Sequence, residues 1–409
     1  MSSVCEQPDM SSIEQAIQAL TQLLERPLEV VSLPLLQTHG RLLADDVHAR
    51  QDVPLWDNSA MDGYALNSAD LPQDGGRLPL AGCQAAGDAI RPLPAGHCMQ
   101  IFTGAAMPPG ADCVIPQENC QPDADGVTFG PIKAGQNIRR QGEETRTGQL
   151  LLTKGTRLRP QEIGLLASQG YAAVNVCRAL RIGIISSGNE LRDPGATLEP
   201  GQIYDSNRYL LATLLQGWGF EVTQYPHLRD DLDDTLQLLA SASQEQDILI
   251  SSGGVSVGEA DYLKAAIQQL GQLNLWRVAI QPGKPLAFGT VGNTPWIGLP
   301  GNPAASLVTA LVIARPALLA AQGQTDTAPN MLPALADFEW TKTSVRTRYM
   351  QARLQVIDGQ LHAQLHPQQS SAMLANCCWA DGMLVIAPQQ QVQPGDQVLF
   401  MPYQALFQG

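Results

Sequence analysis

The residues best suited to chemistry gather in SSGGVSVGEADY, positions 251 to 262, directly after the apolar run ILIS. Gly253, Gly254 and Gly258 allow backbone amides to close around an anion, and Ser252 and Ser256 add hydroxyl donors. Glu259 and Asp261 supply oxygens for a hard cation. A tight strand-to-helix turn would use the same glycines, but three glycines, two hydroxyls and two acids in one loop favour a ligand. Loops at strand ends of α/β sheets are where such ligands sit. A second strand, RIGII, ends in Ser186, Ser187, Gly188 and Glu190, and faces the same crevice if the two strands are parallel. Glu190 and Asp261 then suit Mg²⁺, which needs only one or two carboxylates, and equally suit two separate surface acids.

Other candidates are weaker by composition alone. PGKP at 282–285 holds Lys284 between prolines, a rigid cation suited to an oxyanion or an ordinary turn with a solvated lysine. GLPGNPA at 298–304 is a second rigid turn, in which Asn302 reads as the cap of a following helix. DNSAMDGYA at 57–65 and GQNIRRQGEE at 135–144 read as polar loops, the second with Arg139, Arg140, Glu143 and Glu144.

The elements that must carry these residues follow from periodicity. Ser11 with Glu14 predicts a capping box, and Ile13, Ala16, Ile17, Leu20 and Leu24 one helix face ending at Pro27. From about 50 to 145, short β-prone runs such as Cys98–Thr103 and Asp112–Gln117 among Gly and Pro predict a small β domain. From 181 to about 320, strands RIGII, EVTQY, ILIS, LAFGT and WIGL alternate with helices at 207–217, 231–243, 260–270 and 303–320. That is a βαβ series with a mostly parallel sheet. Beyond the linker at 323–333, MQARLQVID, QLHAQL, GMLVIA and DQVLFM predict a β barrel or sandwich.

Composition sets the outer limits. With 25 Lys+Arg against 39 Asp+Glu, the net charge of −14 argues against nucleic acid as a partner. The 409 residues suit about three domains, and 44% hydrophobic content excludes general disorder. The most apolar stretch, Trp296–Ala314, is interrupted by Pro300, Gly301, Asn302 and Pro303, so no membrane span is expected. An N-terminus without a basic start or apolar core is not a secretory signal, and a cytoplasmic location follows as an expectation. Eight cysteines without a C-x-x-C pair fit free thiols in a reducing compartment, with Cys377 and Cys378 on a half-buried strand or loop.

In order along the chain, DNSAMDGYA, FTGAAMPPGAD, GQNIRRQGEE, SSGNEL, GQIYDSNR, SSGGVSVGEADY, PGKP and GLPGNP resemble the molybdopterin molybdenumtransferases, the bacterial molybdenum insertases related to the insertase domain of gephyrin. The resemblance spans residues 12–407. It implies four domains: a discontinuous linking domain of 1–50 with 145–179, a small β domain of 51–144, an α/β molybdopterin-binding domain of 180–327 and a C-terminal β barrel of 328–409. It further implies an elongated homodimer whose cleft lies between the α/β domain of one subunit and the small β domain of the other. The implied reaction joins adenylated molybdopterin and molybdate to form molybdenum cofactor, releasing AMP with Mg²⁺. Molybdopterin adenylyltransferase would supply the substrate, and cofactor-transfer proteins or apo-molybdoenzymes would take the product.

By the same resemblance, Ser187, Gly188, Asp205, Ser252, Gly253, Gly254, Ser256 and Gly258 hold the pterin nucleotide, and Glu190 and Asp261 the metal. Asp62, Thr103, Glu144 and Asp230 match residues needed for insertion. Lys284, Arg346 and Ser371 match the molybdate pocket, which suits a tetrahedral dianion. Several positions depart from the pattern: Glu144 for Asp, Asn189 for Asp, Ala305 for Ser, Ser370 for Gly, and Gln281 where a base is usual. Ser306 is the expected substitute for the hydroxyl lost at 305. Two other readings compete with insertion: adenylyl transfer, suggested by the α/β domain alone, and a non-enzymatic scaffold.

Overall fold

A computed structural model describes residues 10–253 and 262–408. The first helix, Ile13–Leu23, begins one residue later than the sequence predicts. Ser12 caps it, with Ser12 Oγ accepting from Gln15 N at 3.1 Å and Gln15 Oε1 accepting from Ser12 N at 2.8 Å. Ser11 is diverted because its amide donates to Arg277 O at 3.0 Å. The predicted face is real: Ile13, Ala16, Leu20 and Leu24 are buried against the central core. Nearby, Val30–Pro34 pairs antiparallel with Ala173–Cys177, and Val47–His48 with Leu150–Leu152.

The small β region contains a four-stranded sheet in the order Leu80–Gln84, Cys98–Ile101, Gly63–Leu66, Cys113–Pro116. Tyr64 and Phe129 meet edge to face inside it, with ring centroids 6.1 Å apart. Gly63 starts the central strand because any Cβ there would lie 2.0 Å from Ile115 O. Asp62, just before it, therefore emerges at a fixed strand end.

The α/β sheet has six strands: Glu221–Gln224, Arg181–Ser186, Ile248–Ser252, Thr294–Leu299, Pro285–Val291 and Gly271–Arg277. Neighbours among the first four are parallel, and the last two complete an antiparallel edge. Gly271–Arg277 was not expected as a strand, since its mostly exposed, polar edge sequence has no apolar run. One continuous helical stretch, Pro303–Ala321, passes through a π-turn at Ala310–Ala314. It is long and apolar enough to cross a membrane, but 83% of its most apolar window is buried in this protein's core. Its apolar surface meets the sheet and the first helix, and buried Arg315 donates to Gln408 O at 3.0 Å.

The C-terminal strands close into a barrel: Thr347–Ile357, Gln360–Leu365, Leu332–Ala336, Gln397–Pro402 and Gly382–Ile386, the last pairing back to the first. Ala352, Ala363, Leu384 and Phe400 fill it. A short strand, Ile280–Gln281, leaves the α/β region and pairs in parallel with Thr347–Ile357. Cys377 and Cys378 lie on a helix, Leu374–Trp379, rather than on a strand or loop, with Cys377 buried and Cys378 exposed. The described cysteines are all free thiols.

Candidate functional site

Strand pairing decides where the candidate loops meet. Arg181–Ser186 and Ile248–Ser252 are parallel with Ser186 opposite Ser252, so the segments that follow leave from one sheet edge. Ser187 bridges to Leu228, and Gly188 N donates to Leu228 O at 3.3 Å. Asp230 N donates to Asn189 Oδ1 at 3.2 Å, and Asn189 N donates to Asp230 Oδ2 at 3.4 Å. This exchange ties Asp230 to Asn189, the residue before Glu190, and all three are exposed. Asp205 sits differently: it is 3% exposed and its Oδ1 accepts from Arg208 N at 3.0 Å, capping the helix Ser206–Gly217. Gly254, Ser256, Gly258, Glu259 and Asp261 lie outside the described residues.

Gly188 shapes the rim beside Glu190. Its φ is +141°, and a Cβ would lie 2.7 Å from Glu190 Oε2. Gly188→Ala should therefore displace the Glu190 carboxylate and cost about 1–3 kcal/mol of local strain. The expected outcome is a modest fall in thermal midpoint, read by differential scanning calorimetry of the variant beside the parent.

Between the sheet edge and the barrel lies a cavity of about 1030 Å³. Gly253, Lys284, Arg346 and Ser371 all line it, as do the departures Gln281, Ala305 and Ser370. Asn302 does not cap its helix with its side chain: its Nδ2 donates to Ser371 Oγ at 3.2 Å. Instead Ser371 O accepts from the first helical amides, Ala304 N at 3.1 Å and Ala305 N at 3.2 Å. Ser306 is fully buried and does not line the cavity, so it does not replace the hydroxyl absent at 305.

Sequence reasoning missed Trp340, Lys342 and Arg348, which also line the cavity. Their signal was present, since residues 340–357 carry Lys342, Arg346, Arg348 and Arg353 and no acid in an otherwise acidic chain. Among the described residues, the cavity lining holds four cations, Lys284, Lys342, Arg346 and Arg348, and no carboxylate. Such a wall favours a small multivalent anion.

The small β region holds a separate group. Asp62 Oδ1 accepts from Thr103 N at 2.7 Å and from Thr103 Oγ1 at 2.8 Å. These bonds, the backbone one foremost, hold the exposed Asp62 carboxyl below its ordinary range. The two polar loops meet where Asn58–Ser59 pairs with Ile138–Arg139, and Arg140 Nη1 reaches Asp57 Oδ2 at 2.6 Å. Glu144 is exposed, its amide donating to Val53 O at 2.9 Å. Asp62, Thr103 and Glu144 do not line the large cavity. Beside Asp62 and Thr103 in the chain, Met61 and Phe102 expose 41% and 38% of their surfaces.

Three family profiles match the chain: MoeA N-terminal region (domain I and II) over 11–170, probable molybdopterin binding domain over 183–320, and MoeA C-terminal region (domain IV) over 333–403. A molybdopterin molybdenumtransferase of Haemophilus influenzae is 36% identical over 97% of this chain and 100% of its own length. One from Synechococcus elongatus is 39% identical over 75% of this chain and 79% of its own length. A crystal structure of a molybdopterin biosynthesis MoeA protein from Pyrococcus horikoshii superposes with a TM-score of 0.81 at 25% identity, covering 97% of this chain and 100% of that one.

Proposed function

The chain belongs to the molybdopterin molybdenumtransferase family, and from that premise we propose that it inserts molybdate into adenylated molybdopterin with release of AMP. One observation carries the reading: a cavity lined, among the described residues, by four cations and no acid opens beside Gly253 at the C-terminal edge of a parallel sheet. Lys284 and Arg346 offset the dianionic charge of molybdate, and Ser371 offers a hydroxyl. Ser187, Gly188, Ser252 and Gly253 form the adjoining rim for the pterin nucleotide, with Gly254, Ser256 and Gly258 following them in sequence. Asp205 contributes by fixing the helix that borders the rim.

Magnesium fits the donor set on the rim. Glu190 is an exposed hard-oxygen donor on that rim. Such a site suits a cation whose remaining ligands are phosphate and water, with Glu190 and Asp261 as protein ligands. A bound Mg²⁺ supplies charge neutralisation at the pyrophosphate. Asp230 holds the Asn189 amide and so keeps Glu190 in place.

Asp62, Thr103 and Glu144 then act from a second subunit. The apolar side chains exposed beside Asp62 and Thr103 support a homodimer in which this face covers the partner's cavity. The four-domain division is proposed together with this arrangement. Free thiols in a reducing cytoplasm are consistent with it. An adenylyltransferase would supply the substrate, and apo-molybdoenzymes would receive the product.

The test is AMP release from adenylated molybdopterin and Mg²⁺, with and without molybdate, coupled to activation of an apo-molybdoenzyme. Molybdate-dependent release with activation is expected. Pterin binding without molybdate-dependent release would overturn insertion and leave a binding or scaffold protein.

A further inference from the structure

The cavity wall draws charge from a residue outside the recognised motifs. Strands Ile280–Gln281 and Thr347–Ile357 run parallel with Gln281 directly opposite Arg348. Arg348 Nε donates to Gln281 Oε1 at 3.3 Å, Nη1 to Lys342 O at 2.6 Å and Nη2 to Thr343 O at 3.4 Å. The guanidinium also lies over the Trp340 ring, 5.0 Å from its centroid. Of the five N–H bonds a guanidinium offers, these contacts use three, which leaves two for a ligand.

Arg346, just before the strand Thr347–Ile357, and Arg348, its second residue, are two residues apart and both line the cavity. Among the described residues no carboxylate forms a salt bridge with either. Burial and the neighbouring Arg346 charge both lower the Arg348 pKa from its ordinary value. Two like charges held this way are unfavourable until an anion lies against them. Gln281 supplies the acceptor for Nε that completes this arrangement, a role that a base at that position could not fill.

We propose that Arg348, oriented by Gln281, is an oxyanion-binding residue that gives the cavity its second guanidinium and sets its affinity for a tetrahedral dianion. This rests on the molybdate reading of the cavity given above. It also means that restoring the base usual at position 281 would not improve binding. Lysine cannot accept from Arg348 Nε and would add a repelling charge beside it.

The experiment is calorimetric titration of the full-length protein with sodium molybdate at constant ionic strength. Variants are R348Q, R346Q, Q281K and the double variant Q281K/R348Q, with thermal midpoints recorded for each. R348Q should raise Kd about tenfold or more, since a charge-assisted contact to a dianion is lost. Q281K alone should also weaken binding. Q281K/R348Q should return to within about threefold of the parent, because one cation is restored at the opposed position without repulsion. A role confined to pinning residues 340–344 predicts no such recovery. Unchanged binding in R348Q while R346Q loses it, or no recovery in a folded double variant, would overturn the proposal. Unchanged binding in both R346Q and R348Q would instead remove molybdate from this cavity.

Discussion

Asp62→Asn should lower molybdate-dependent AMP release by about 10²- to 10³-fold, the range for removing a positioned charged or proton-transferring group. Asparagine keeps the shape and one acceptor for Thr103, so the local turn survives while the charge is lost. The Asp62 carboxyl lies below its ordinary range because Thr103 N and Thr103 Oγ1 donate to it, and it is therefore ionised at neutral pH. Its exposure means that little of the fold depends on it, so the thermal midpoint should hardly move. The variant also tests whether the active site is shared. Asp62→Asn and Asp230→Asn, each inactive alone, should recover about a quarter of parental activity when unfolded together and reassembled. Half of randomly paired dimers are mixed, and one of their two sites is intact. Recovery near zero, with dimers demonstrated, would place both acids in the same subunit's site; full activity of Asp62→Asn would end its role in insertion.

The largest stability effect should come from Asp247→Asn. Asp247 has a side chain 3% exposed and lies between the N-terminal segment and the α/β sheet. Its carboxylate meets Arg26 at 3.0 Å, Arg178 at 2.9 Å and Arg181 at 3.4 Å, and accepts from Arg181 N at 2.8 Å. Glu29 engages the same Arg178 at 2.7 Å. Burial alone would raise the Asp247 pKa, but the Arg178 bond and the Arg181 contacts outweigh it and hold the carboxyl well below its usual range. Removing its charge leaves arginines crowded without an anion, at a cost of about 3 kcal/mol, the lower end for breaking a buried pair because Arg181 is half exposed. The sign with pH follows. A depressed native pKa stabilises the fold fully above the unfolded value near 4 and loses that contribution as pH falls. Denaturant midpoints of parent and Asp247→Asn should differ most at neutral pH, and the gap should narrow progressively as pH falls below about 5, closing only below the depressed native pKa. A gap that stays constant across that range would show that ionisation of Asp247 does not tie these segments together.

How much of the protein could be read from its chain differs element by element. The parallel strands were legible because both of their faces are buried, which writes continuous apolar runs such as RIGII and ILIS into the sequence. Gly271–Arg277 left no such trace, being a mostly exposed edge strand specified by its partner Pro285–Val291. The first helix was displaced by one residue because Ser11, read as its cap, is engaged by Arg277, which leaves the cap to the next serine, Ser12.

The same division holds at the site. Residue type and motif order alone determined the family resemblance, the glycine-rich sheet edge and the roster that includes Asp62, Thr103, Lys284, Arg346 and Ser371, because local chemistry is carried by side-chain identity and short spacing. Only the tertiary structure decided which of these share a surface. It brought Asp62 to Thr103 across 41 positions and Gln281 to Arg348 across 67, and it kept the first pair out of the cationic cavity. It also buried Ser306 and turned Asn302 toward Ser371. The physical reason is that strand register and barrel closure are cooperative properties of distant segments: the pairing of Ile280–Gln281 with Thr347–Ile357 depends on two cores at once, and no local pattern encodes it.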